Sequence, residues 1–140
     1  MRKDPDPQAG SKTLISTTAS ESHPCSANLG SHHGLTNAVV MPYVLVWNRA
    51  ALEEKMVRLA AWLGLADRSF DGVLQWVLDL RREIGIPHTL AEIGVRPEHA
   101  AAFAPQALND PSTGGNPLPM TEQDFARLYL NCIQGTLRAS

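Results

Sequence analysis

An all-α fold, a bundle of about five helices, is what this sequence predicts, and three observations carry the prediction. Apolar residues recur at helical spacing in several segments along the chain. Helix start and stop signals bracket those segments: Ser or Thr before them, proline at a first turn, glycine after the last turn. No segment sustains the strict alternation of a half-buried strand, and no internal repeat is present. The 140 residues, 44% of them hydrophobic, suit one domain with one core.

Residues 1–22 stand apart. They are rich in Ser, Thr, Asp and Pro, and after Met1 only Leu14 and Ile15 are large apolar residues. Such a segment buries too little apolar surface to offset its ordering entropy, so it is expected to be disordered or extended, with a boundary near Ser22 and a helical domain over 23–140. Arg2 and Lys3 are not followed by an apolar run of the roughly 7–15 residues that a secretory signal needs.

The first helix is expected over 33–47. It is apolar on nearly every side, which predicts a central, buried position. Pro42 removes a backbone donor, so a kink or break is expected there, and Asn48 suits a stop or a cap. The second helix, 50–63, places Leu52, Met56, Leu59, Ala60 and Leu63 on one stripe, with Glu53, Glu54, Lys55 and Arg58 off it. Glu54 and Arg58 are spaced to pair. Gly64 stops it. The third, 70–84, has Ser69 as N-cap and Asp71 in the first turn. Val73, Trp76, Val77, Leu80 and Ile84 are its expected inner face, with Arg81 and Arg82 favoured as cations in the last turn. Trp62 and Trp76 read as packing residues.

A short helical turn at 90–93 ends at Gly94. A fourth helix opens at Pro97 and runs to about 108, with Pro105 inside it. Residues 109–120 form a Pro- and Gly-rich loop. The last helix opens on the capping-box pattern Thr121-x-x-Asp124 and buries Phe125, Leu128, Tyr129, Cys132 and Ile133. Gly135 ends it.

A formal net charge of −2 lacks the basic excess of a nucleic-acid surface or a polybasic membrane patch. The longest apolar run, 38–47, is shorter than the ~20 residues that cross a bilayer. Cys25 and Cys132 are far apart and form no CxxC pair, so reduced thiols and a cytoplasmic protein are expected.

The chemically dense stretch is HPCSANLGSHHGLTNAVVMPYVLVWN, residues 23–48. It contains three of the five histidines, His23, His32 and His33. His33 precedes Gly34, which lets a ligand approach the backbone. Spacing alone leaves two readings open: a metal ligand, or a solvated His-His pair. A metal site needs about three or four protein donors, and the chain has neither HExxH nor a Cys-His cluster. His23 and His33 are spaced so that both can face one cavity without being required to. His88 and His99 read as solvated, and Cys132 as core.

Three pieces in order then resemble one family. Residues 23–48 look like an HP-loop-HG-x-x-NA-x-x-x-P-x-x-x-x-x-N signature. RREIGIPHTLAEIGV looks like a GIP…L…GV segment. DPSTGGNPLPMTEQDF looks like NPR-x-x-T-x-x-D, with Leu118 where arginine is common. Together these resemble the C-terminal helical domain of the iron-containing alcohol dehydrogenases. The resemblance implies two-domain enzymes in which an α/β domain binds NAD(P) and the helical domain holds a divalent metal, iron or zinc. That metal polarises the alcohol oxygen while hydride passes to the nicotinamide. By motif match His33, rather than His32, takes a metal-ligand position, and His23 takes the position near nicotinamide and substrate.

The departures are equally specific. The family's aspartate ligand and first histidine ligand lie in sequence not found here. A further histidine ligand, four residues before the HP histidine, is replaced by Ala19. The nucleotide domain is also absent. The resemblance therefore implies a partial metal-dependent alcohol dehydrogenase, inactive alone, of the kind a truncated or frameshifted gene would leave. A non-catalytic helical binding or interaction module, acting through a partner chain, is the alternative. A nucleotide-binding domain in trans or a second copy is the expected partner. An apolar face of the 33–47 helix left open would favour self-association.

Overall fold

The computed structural model describes residues 33–137, with the side chains of His33 and Ser112 outside that description. Five α-helices and two short 3-10 turns make up these residues, and no strand occurs among them. The helices are α1 (His33–Trp47), α2 (Arg49–Trp62), α3 (Phe70–Glu83), α4 (Pro97–Asn109) and α5 (Glu122–Gln134). The all-α expectation holds. The 3-10 turn Leu90–Ile93 precedes α4, ending on Gly94 as expected, and a second, Pro111–Gly115, lies in what reads from sequence as a plain loop.

Because α1 is apolar all round, it serves as the shared wall of two cores. Val39, Val40, Tyr43 and Val44 pack with α4, α5 and the turn carrying Leu90. Leu45 and Val46 pack on the other side with Leu52, Met56 and Ala60 of α2 and Phe70, Val73 and Val77 of α3. The central position expected for this helix is therefore found. The expected open face is not, because both sides of α1 are covered. The helix also runs unbroken through Pro42, itself buried. Burial against two layers outweighs one lost backbone hydrogen bond.

Local signals set the ends. Ser69 caps α3, its hydroxyl accepting from the Gly72 amide at 3.1 Å. Thr121 and Asp124 form the expected reciprocal box. The Asp124 amide donates to Thr121 Oγ1 at 3.2 Å, and the Thr121 amide donates to the Asp124 carboxylate at 2.8 Å. Gly135, at φ +80°, ends α5 in the left-handed region that only glycine adopts cheaply. Asn48 behaves differently from a cap. Its side-chain amide turns back to the Val44 carbonyl at 3.0 Å, so it closes α1 and leaves the first turn of α2 without a side-chain cap.

Between α2 and α3 the Arg49 guanidinium donates to both Asp71 oxygens, at 2.9 and 3.0 Å, and lies 4.6 Å over the Phe70 ring. Glu54 and Arg58 pair weakly at 3.8 Å, as their spacing predicts.

Two stripes differ from expectation. In α2 the buried residues are Leu52, Met56 and Ala60, while Leu59, Leu63 and Trp62 face out, Trp62 at 89% exposure. In α3 the buried set is Phe70, Val73, Val77 and Arg81, while Trp76, Leu80 and Ile84 are exposed, Ile84 at 64%. The inner face of α3 is thus turned by about one residue from the apolar reading. Among the described residues, the exposed large apolar side chains lie on this α2–α3 hairpin and not on α1.

Candidate functional site

His33 is the first residue of α1, so its backbone begins the helix that both cores share. His23 lies outside the described residues, as does the side chain of His33. The segment 1–22, Cys25 and His32 fall outside them too. Among the described residues, no group of three or more His, Cys, Asp or Glu side chains could hold a metal ion. These residues therefore do not by themselves fit the iron or zinc that the resemblance implies.

The individual donors show why. His99 is half-buried. Its Nδ1 accepts from the Arg96 amide at 2.9 Å, and its ring stacks on Phe103, 5.4 Å away at 10°. This differs from the solvated side chain expected of it, because its ring closes the first turn of α4. Cys132 is buried in the α5 stripe, as expected.

The polar centre of the described domain lies where α3 ends against α1. Arg81 is only 5% exposed. Its Nη2 donates to the carbonyls of Val39 (3.1 Å), Pro87 (2.9 Å) and His88 (3.3 Å), tying the end of α3 to the middle of α1 and to the following loop. Its Nε and Nη1 are buried without a partner among the described residues. Tyr43, on α1, donates its hydroxyl to the same His88 carbonyl at 2.6 Å, and the hydroxyl lies 3.4 Å from His88 Nε2. His88 is exposed, as expected, but its backbone is the hinge of this cluster. Glu92 closes the turn by accepting from the Thr89 amide at 2.8 Å and its hydroxyl at 3.1 Å. Those bonds hold its carboxyl below the usual range.

Burial pushes the Tyr43 phenol well above its ordinary value, and burial lowers Arg81. A phenol whose folded value exceeds its unfolded value of about 10 contributes stability that is complete below pH ~10 and is lost as pH rises past it. Alkaline unfolding is therefore expected to steepen above pH ~10. Tyr43→Phe is expected to reduce that slope by up to about one proton, read from urea midpoints between neutral and alkaline pH. An identical slope in the variant would contradict the assignment.

Sequence reading missed Arg81 as an interior residue. The signal was present: Phe70, Val73, Val77 and Arg81 follow helical spacing from the capped first turn, and the favoured place of a cation at a helix C-terminus masked it.

An all-helical domain built on a doubly covered central helix, with a His-Gly pair at its start, is the class that fold and site define. The chain belongs to the Fe-containing alcohol dehydrogenase family, whose C-terminal model matches residues 13–133. That match begins upstream of His23, where the resemblance in sequence starts. Lactaldehyde reductase of Escherichia coli K12 is 34% identical over 113 residues, covering 76% of this chain and 30% of that protein. The NADPH-dependent butanol dehydrogenase of Clostridium saccharobutylicum is 26% identical over 136 residues, covering 91% and 35%. Among solved structures, 1,3-propanediol oxidoreductase superposes with a TM-score of 0.79 at 25% identity, over 84% of this chain and 32% of that one. The chain thus spans about a third of the length of the relatives it matches. No helix of the described residues is long and apolar enough to cross a membrane.

Proposed function

We propose that this chain supplies the helical, metal-side portion of an alcohol dehydrogenase, an oxidoreductase moving hydride between a short alcohol and NAD(P). In this reading the 140 residues alone do not complete the reaction. The observation that carries it is the family match over residues 13–133 together with coverage of only about a third of each relative. The names of those relatives favour small aldehydes and short alcohols or diols as the substrate class. His33 would face the metal and His23 the nicotinamide, as the motif match implies. The remaining donors and the nucleotide fold would come from sequence outside these 140 residues.

A second reading has its own support. The exposed Trp62, Trp76, Leu80 and Ile84 of the α2–α3 hairpin suit a helical module that binds a partner, or a second copy, without catalysis.

The test is turnover by the purified 140-residue chain with iron or zinc, NAD or NADP, and a short diol. No reduced cofactor above the protein-free rate is the expected result. Sustained turnover by the chain alone would contradict it. Turnover appearing on mixing with a separately expressed nucleotide-binding portion of a relative would support the first reading. Stable binding to that portion without turnover would support the second.

A further inference from the structure

Arg81 is a guanidinium that the described fold leaves without a counter-ion. Its hydrogen-bond partners among the described residues are three backbone carbonyls, all reached by one nitrogen, and no carboxylate. Nε and Nη1 are buried and unpartnered among the described residues. Burying a charge is costly unless it is paired, and an unsatisfied buried donor in a native fold calls for an occupant. Glu92 acts on Arg81 only through space, and neither it nor Asp79 hydrogen-bonds the guanidinium. Glu92 is held by Thr89, and Asp79 lies 3.6 Å from Arg82 and accepts from Gln75 at 2.8 Å.

Beside Arg81 is a partly open cavity of about 260 Å³, lined by Leu78, Arg81, Arg82, Ile86 and His88. Two guanidiniums and an imidazole thus border one space, and its other lining side chains among the described residues, Leu78 and Ile86, are apolar. We propose that this cavity binds a phosphate-type oxyanion, attracted by the unneutralised charge of Arg81 and contacted by Arg82 and His88. Low-dielectric walls focus the field of a buried charge such as Arg81 into the space they bound, while Arg82 is already shared with Asp79 at 3.6 Å. An anion with several acceptor oxygens matches two guanidiniums better than a monovalent carboxylate does. Leu78 and Ile86 would give apolar contact to a short alkyl group on that phosphate.

Thermal unfolding of the full 140-residue chain tests this, with inorganic phosphate replacing chloride at constant ionic strength. A saturable rise in Tm is expected for the wild type. In Arg81→Met, which keeps a long apolar stem and removes the charge, phosphate affinity is expected to fall tenfold or more. That variant also orphans three carbonyls, so its fold is checked by circular dichroism. If it does not fold, the Arg81 Nε–H resonance of the wild type is the deciding readout, and it should shift with the midpoint of the Tm titration. Propyl phosphate binding more tightly than inorganic phosphate identifies a monoester as the ligand. Equal affinity identifies the free ion. A wild-type Tm that phosphate leaves flat, a titration unchanged by Arg81→Met, or an Nε–H resonance fixed through saturation overturns the proposal.

Discussion

Phe103→Ala is expected to destabilise the domain by about 3–5 kcal/mol, the usual cost of emptying a buried aromatic site. Phe103 is buried on α4, between the stacked His99 ring and the edge of Tyr129 on α5, 5.9 Å away at 66°. The α4–α5 pairing is the most extensive helix contact in the fold, and Phe103 is an aromatic bridge across it. Truncation removes the apolar burial and both ring contacts, and neither neighbour can collapse freely. His99 is tied to the Arg96 amide, and Tyr129 is itself fully buried. Urea unfolding should show a much lower midpoint with little change in slope. Leu59→Ala, at an outward position of α2, should change stability by less than about 0.5 kcal/mol. Comparable losses in the two variants would mean that the two faces have been assigned wrongly.

Gly72→Ala is expected to cost about 3 kcal/mol, although alanine is the better helix former. A Cβ at Gly72 would stand 2.1 Å from the Asp67 carbonyl oxygen and 2.9 Å from its carbon. Both are backbone atoms, so no rotamer change relieves the clash. The loop before α3 must move, and with it Ser69, whose hydroxyl accepts from the Gly72 amide and donates to Asp67 Oδ1 at 2.6 Å. The substitution therefore strains the loop and loosens the cap together. Stability equal to or above wild type in the same urea titration would show that the loop yields easily.

These two sites mark what the sequence made legible. Phe103 lies in a helix announced by Pro97, and the caps at Ser69 and Thr121 were readable because capping is local chemistry. Gly72 gave no signal, since its neighbour Asp67 comes close only once the loop has folded back. The α3 register was misread because Leu80 looks like core and Arg81 looks like surface. Three carbonyls converging on one guanidinium are a tertiary fact that hydropathy does not encode. Trp62 was misread for a related reason: its size suggests packing, but the Leu52, Met56 and Ala60 stripe points elsewhere. The histidines are the converse case. His23 and His33 are prominent in sequence as a motif, yet a motif names ligand positions without supplying the other donors, and the described residues do not assemble a set of three.

Metal content of the purified 140-residue chain after loading with iron(II) or zinc(II) and gel filtration tests the central claim most directly. Well below one tightly held ion per chain is the expected result, because the motif match supplies one ligand position, His33, and a metal shell needs about three or four protein donors. One ion per chain, retained against a chelator and lost in His33→Ala, would contradict it by showing that these residues alone build the site.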